Sequence, residues 1–174
     1  PSREQATMIA VLKWLLLAAI ALALGVLIAG RLGLLAGTRP ADLGVKNGRL
    51  KPPSNTPNSV SSQAALHPSH PMQLEAQIAP LPLRGDAAAT LRGLQRLVAA
   101  QPGASVVEQG ADYLYAQFKT PTLQFVDDVE FWVDPAAGVV QLRSASRIGR
   151  KDFGVNRARI ESLRAQWAAK ASGG

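Results

Sequence analysis

The run MIAVLKWLLLAAIALALGVLIAG, Met8 to Gly30, constrains this chain more than any other stretch. It is about 23 residues long and carries one charge, Lys13, near its start. A helix rising about 1.5 Å per residue needs roughly 20 apolar residues to cross a bilayer. Lys13 can extend toward the headgroups, and Trp14 beside it suits the interface. A cleaved signal peptide competes with this reading, but its apolar core of about 7–15 residues is shorter. We therefore expect a transmembrane helix over 8–30. The chain has no cysteine, which removes disulfides, lipid-modified cysteine anchors and thiolate zinc sites.

Charge is unevenly spread. Residues 1–70 hold seven Lys/Arg against two Asp/Glu, residues 71–142 four against eight, and residues 143–174 eight against two. A basic start, an acidic middle and a basic tail can neutralise one another on folding, so the net +7 does not by itself indicate a nucleic-acid binder. Arg31, Arg39, Lys46, Arg49 and Lys51 follow the apolar run, whereas Arg3 alone precedes it. The positive-inside rule then favours a cytoplasmic C-terminal domain.

From Thr38 to about Met72 the composition turns to Pro, Ser, Asn and Gly, without helical or strand period. We read residues 31–71 as an extended linker. Its two histidines, His67 and His70, sit among prolines and read as a surface loop.

Residues 72–171 read as an α+β domain of antiparallel sheet and two helices, in two layers. Gln73–Leu83 is expected as an edge strand because of its prolines. Asp86 is placed to cap a helix whose Ala87, Leu91, Leu94 and Val98 share a face, ended by Pro102-Gly103. Ser105–Gln109, a Gly110-Ala111 turn and Asp112–Lys119 form a hairpin, and Thr122–Val126 runs into a further strand. In that strand Val129, Phe131 and Val133 alternate with Asp128, Glu130 and Trp132. Matching apolar faces across the PAAG turn sets Phe131 opposite Leu142 and Val133 opposite Val140, hence Glu130 opposite Arg143. On an exposed face that pair is worth about 0.2–1 kcal/mol. A final helix is expected with Asn156 as N-cap and Ile160, Leu163 and Trp167 as its buried stripe.

Catalytic signatures are missing: no GxSxG, no HExxH, no P-loop, and no histidine within the folded part. We expect no enzyme and no cofactor. The carboxylates Asp127, Asp128 and Glu130 could hold a cation, but alternation puts only Asp128 and Glu130 on one face, and Arg143 and Arg147 are the better matched partners. An anion or partner site fits the start of the last helix, where Arg147, Arg150, Lys151, Asn156 and Arg157 gather around free N–H groups. No aromatics interleave with this basic run, which argues against nucleic acid.

The segments TPNSVSSQA, DDVEFWVD and RSASRIGRKDFGVNRARIESLR occur in this order. Together they resemble a bacterial and plastid family, domain of unknown function 1499, over roughly Leu43 to Trp167. Many members carry Cys where this chain has Ser59. The resemblance implies a small domain, often membrane-attached or exported, and no reaction. Its motifs suggest a polar network in which Asn58 and Ser61 meet Asp127, Asp128, Glu130 and Arg143. The expected function is that of a non-catalytic accessory or assembly subunit in a bacterial inner-membrane complex, with lipid and other membrane subunits as partners. The alternative is a membrane-surface domain that binds a small anion or lipid headgroup.

Overall fold

The computed structural model describes residues 2–170. A long helix, α1 (Arg3–Arg31), precedes six strands: β1 (Ser59–Ser61), β2 (Leu81–Pro82), β3 (Ala104–Gln109), β4 (Tyr113–Lys119), β5 (Val126–Asp134) and β6 (Val139–Ser146). They form one antiparallel sheet in the order β1-β6-β5-β4-β3, with β2 also paired to β6. Three further helices are α2 (Gln73–Ala76), α3 (Ala87–Ala99) and α4 (Val155–Ala169). The fold is α+β, as expected.

The β5–β6 register follows from side-chain alternation. Phe131 faces Leu142, Val133 faces Val140, and Glu130 faces Arg143. The β3–β4 hairpin forms across Gly110-Ala111. Asp86 caps α3 by accepting from the Ala89 N–H. Leu91, Leu94 and Val98 of α3 and Ile160, Leu163 and Trp167 of α4 bury against Leu114, Phe131 and Leu142 of the sheet. This is the main apolar core.

The expected linker belongs to the fold. Within residues 31–71, Ser59–Ser61 pairs with β6 as an edge strand. Thr38–Ser54, called the strap below, lies over the sheet face opposite α3 and α4. There Leu50, 2% exposed, packs with Tyr113 and Tyr115, and Leu43, Val45 and Trp132 close the cluster. The domain boundary expected at residue 72 therefore falls inside the folded unit, and the two expected layers become three. The strap keeps no helical or strand period because it pairs through single contacts. The Leu50 N–H donates to Gln63 Oε1, and Gln63 Nε2 donates to the Gly48 carbonyl.

One expected strand shrinks to two residues and another is a loop. Gln73–Leu83 contains only the short α2 and the two-residue β2. Pro80 and Pro82 lack N–H groups, so the pairing with β6 stays two residues long. The carbonyls of this stretch turn instead to arginines of α4: Glu75 and Gln77 accept from Arg157, and Ala79 and Pro80 accept from Arg164. Thr122–Phe125 is a loop. Gln124 there has φ 58°, a left-handed conformation, and the Phe125 N–H bonds to Thr120 Oγ1.

Candidate functional site

Strand β5 sends Asp127, Asp128 and Glu130 to the two sides of the sheet, and each of these three meets its own arginine. On the helix side, Asp127 Oδ2 accepts from Arg159 Nη2 at 2.6 Å. The Arg159 guanidinium also stacks on the Phe118 ring, 4.6 Å from its centroid. On the strap side, Arg147 grips Asp128 with Nε at 2.9 Å and Nη2 at 2.7 Å, and Nη2 also donates to the Tyr115 hydroxyl. This two-pronged contact raises Arg147's pKa through its bonds to Asp128. Burial, followed by the bond to Asp128, pushes the Tyr115 phenol up.

Glu130 and Arg143 sit one residue row away from this pair, both almost fully enclosed. Their nearest charged atoms are 3.6 Å apart. The sequence placed this pair on an exposed face; the strap buries it. Glu130 Oε1 accepts from the Gly44 N–H and the Tyr113 hydroxyl, each at 2.8 Å, and Arg143 Nε donates to the Pro52 carbonyl. The strap backbone bonds one side of each group, while Glu130 Oε2 and Arg143 Nη1 face each other as a buried ion pair without a hydrogen bond, so each charge depends on the other to offset its desolvation. Burial, then Glu130's charge, pushes the Tyr113 phenol far above its ordinary range. Burial also draws Arg143 down, against the opposing pull of Glu130.

A second junction lies where β6 leads into α4. Asn156 is fully buried, and its Oδ1 accepts from Arg159 Nη1 at 2.8 Å and from the Ser144 hydroxyl. Its Nδ2 faces the Asn58 carbonyl, the Ser146 hydroxyl and the Asp152 carboxylate. Asn58 in turn donates to the Gly149 carbonyl at 2.7 Å. The Pro57–Ser62 segment therefore lies along the Arg-rich turn, joined to it by side chains as well as by the β1–β6 ladder.

Asn156 is not the N-cap of α4. Gly154 takes that position with φ 82°, a left-handed conformation that glycine adopts freely. Asp152 supplies the capping oxygens, accepting from the N–H groups of Gly154 and Asn156. Burial alone would raise the Asp152 carboxyl, but these bonds outweigh it and hold the group below the usual carboxylate range. The chain's own carboxylate thus occupies the position an anion would take at this helix start.

The five residues expected as an anion or partner site divide accordingly. Arg147 and Asn156 point inward, and Arg157 is tied to the Glu75 and Gln77 carbonyls. Arg150 and Lys151 remain exposed, without a side-chain hydrogen bond or ion pair among the described residues. The residues expected as a polar network come together in part. Asp128, Glu130 and Arg143 share the strap face, Ser61 stands opposite Arg143 on β1, and Asp127 and Asn58 join the helix-side junction.

The sequence alone did not single out Arg159, Tyr113, Tyr115 or the strap. A signal was present. Tyr113 and Tyr115 alternate onto the charged face of the sheet, where large aromatic rings imply a cover.

Ion-paired carboxylates on β5, a sheet roofed by helices on one side and by a strap on the other, and a single long apolar helix ahead of them define a small helix-tethered α+β domain. A sequence model of the family described as protein of unknown function (DUF1499) matches residues 49–167, and the chain belongs to that family. The matched stretch contains every ion pair of β5, while α1 and the strap up to Gly48 lie ahead of it. No curated protein and no solved structure matches the chain.

Proposed function

We propose that this protein is a membrane-anchored, non-catalytic accessory or assembly subunit of a larger inner-membrane complex. The observation that carries this reading is how α1 relates to the rest of the chain. Its apolar window has a mean hydropathy of 2.6 and none of it is buried against the domain. Its last turn is nonetheless locked in place. A Cβ at Gly30 would lie 2.6 Å from the Leu123 carbonyl oxygen, and one at Gly37 would lie 2.8 Å from Arg147 Cβ. A tether that only kept a soluble domain near a membrane would not need such close seating. A helix that fixes the domain's orientation for neighbouring subunits would. Gly25, where an added Cβ would meet nothing among the described residues, and the alanines around it allow another helix to approach closely in lipid.

Purification in mild detergent with cross-linking tests the reading. We expect stoichiometric partner subunits to co-migrate with the full chain. Migration as a lone monomer across several mild detergents, with no cross-linked partner in the membrane, would count decisively against it.

The second reading, a domain that binds an anion or lipid headgroup at the membrane surface, is favoured by one observation. Arg150 and Lys151 project from the turn that Gly37 touches.

A further inference from the structure

The end of α1 shows which edge of the domain faces the bilayer. Leu123 touches Gly30, and with Leu22, Val26 and Leu27 it lines a shallow cleft along the helix. The Thr120–Phe125 loop therefore lies at the depth of the anchor's final turns. Six residues beyond Arg31, Gly37 packs on Arg147 and Ile148. The start of β5 and the end of β6 are thus the anchor-proximal end of the sheet. The β5–β6 turn lies at the far end, a nine-residue strand away.

At this proximal edge, Phe125, Ile148, Phe153 and Val155 line an apolar groove of ≈ 400 Å³ next to Lys151. Phe153 is 93% exposed and has φ 54°. A left-handed backbone is unusual for a bulky residue, and a fully exposed phenyl ring gains nothing in water. Together they hold an aromatic ring at the tip of the turn. Arg150 and Lys151 stand beside it, and Leu32 and Leu34, each about 70% exposed, continue the apolar surface from the anchor. Aromatic rings edged by cations fit the headgroup layer of a bilayer, where the ring leaves water and the cations meet lipid phosphates.

We propose that this edge is a second membrane contact: Phe153 and Ile148 enter the interfacial layer of the leaflet next to the anchor's C-terminal end, while Arg150 and Lys151 pair with anionic phospholipid headgroups. The proposal rests on α1 being a membrane anchor. The occupant is the bilayer itself. The patch is continuous with the anchor, and its charge complements an anionic leaflet.

The chain has no cysteine, so single nitroxide labels can be placed without background. The full chain carrying Ile20→Cys, Ala136→Cys or Phe153→Cys would be reconstituted into vesicles. One set holds phosphatidylcholine alone, the other phosphatidylcholine with phosphatidylglycerol. Relative accessibility to oxygen and to a water-soluble nickel chelate reports the depth of each label. We expect position 20 to be deep in both vesicles and position 136 to be aqueous in both. Position 153 should be lipid-immersed when phosphatidylglycerol is present, and that immersion should be lost with Arg150→Glu and Lys151→Glu together. Position 153 as aqueous as position 136, while position 20 is deep, would overturn the proposal and leave the anchor intact. Position 153 shielded from both reagents would mean contact between copies of the chain and would also overturn it. Position 20 in water would sink the anchor reading and the proposal together.

Discussion

Under α3 and α4 the sheet presents Leu114, Phe118, Val129, Phe131, Val140 and Leu142; under the strap it presents Tyr113, Tyr115, Asp128, Glu130 and Arg143. Both faces are buried, yet they are sealed by different physics. The helix face is closed by close-packed side chains, which tolerate a change of shape if volume is kept. The strap face is closed by charges that are harmless only while each keeps its partner. The contrast shows why an irregular segment can act as a layer of the fold. The strap needs no secondary structure, because its backbone at Gly44 and Pro52 supplies single hydrogen bonds to Glu130 and Arg143.

The sharpest way to break the comparison is to remove one buried charge. Arg143→Ala should destabilise the domain by about 3–5 kcal/mol, because Glu130 is left charged and enclosed. Urea denaturation of the detergent-solubilised chain would measure this, on a Trp14→Phe background. Trp132 then reports on the strap face and Trp167 on the helix face. Removing both charges with Glu130→Met and Arg143→Met should recover only part of the loss. The Gly44 N–H and the Tyr113 hydroxyl would then have no acceptor.

Leu94→Ala is the matched test of the helix face, with an expected loss of about 2–5 kcal/mol from burial and cavity together. Conservative replacements sharpen the contrast. Leu94→Met should restore most of the stability, whereas Arg143→Lys should not, because an ammonium cannot reproduce the guanidinium's spread of donors toward Pro52 and Glu130. Equal rescue on both faces would erase the distinction drawn here.

Asn156→Leu should cost on the order of 1–3 kcal/mol, with Ser144 and the Asn58 carbonyl the first groups left unpaired. If Asn156→Leu is neutral in the same denaturation experiment, the junction contributes shape and not bonding.

The two faces should also respond differently to pH. Tyr113 stays protonated in the folded chain but ionises near pH 10 when unfolded, so the folded state binds more protons in alkali. Stability should therefore fall as pH rises above about 10, and Tyr113→Phe should flatten that slope. Asp152 has the opposite sign. Its lowered folded pKa contributes stability that is present above about pH 4 and lost as pH falls below it, an effect Asp152→Asn removes. The smallest change is expected at the rim of the strap. Lys51→Ala breaks an ion pair to an Asp42 that is half exposed and should cost under about 1 kcal/mol.

How much of this was legible in the sequence depended on period. The β5–β6 register and the stripes of α3 and α4 were readable because one side of each was apolar, and a slip of one residue would turn Phe131 and Leu142 outward. The pairing of Glu130 with Arg143 followed from that register without further information. Its burial did not. Nothing periodic marks Thr38–Ser54, and a segment held by isolated bonds to Gln63, Glu130 and Arg143 has the same composition as a linker. The Arg-rich turn divided in the same way. Its positive charge was plain in the sequence, but which arginines turn inward depended on groups far away in the chain, with Asp127 waiting for Arg159 and the Glu75 carbonyl for Arg157.

The sequence by itself determined the apolar helix, the β3–β4 and β5–β6 hairpins, α3 and α4, and the face of each that would seek a core, because those depend on local spacing alone. Only the tertiary structure decided that the sheet has two buried faces, that Asp152 occupies the start of α4, and that Phe153, Arg150 and Lys151 share the edge nearest the end of α1. The second buried face depends on contacts between residues tens of positions apart, where the gain from pairing a charge or covering a ring outweighs the entropy of ordering an irregular chain.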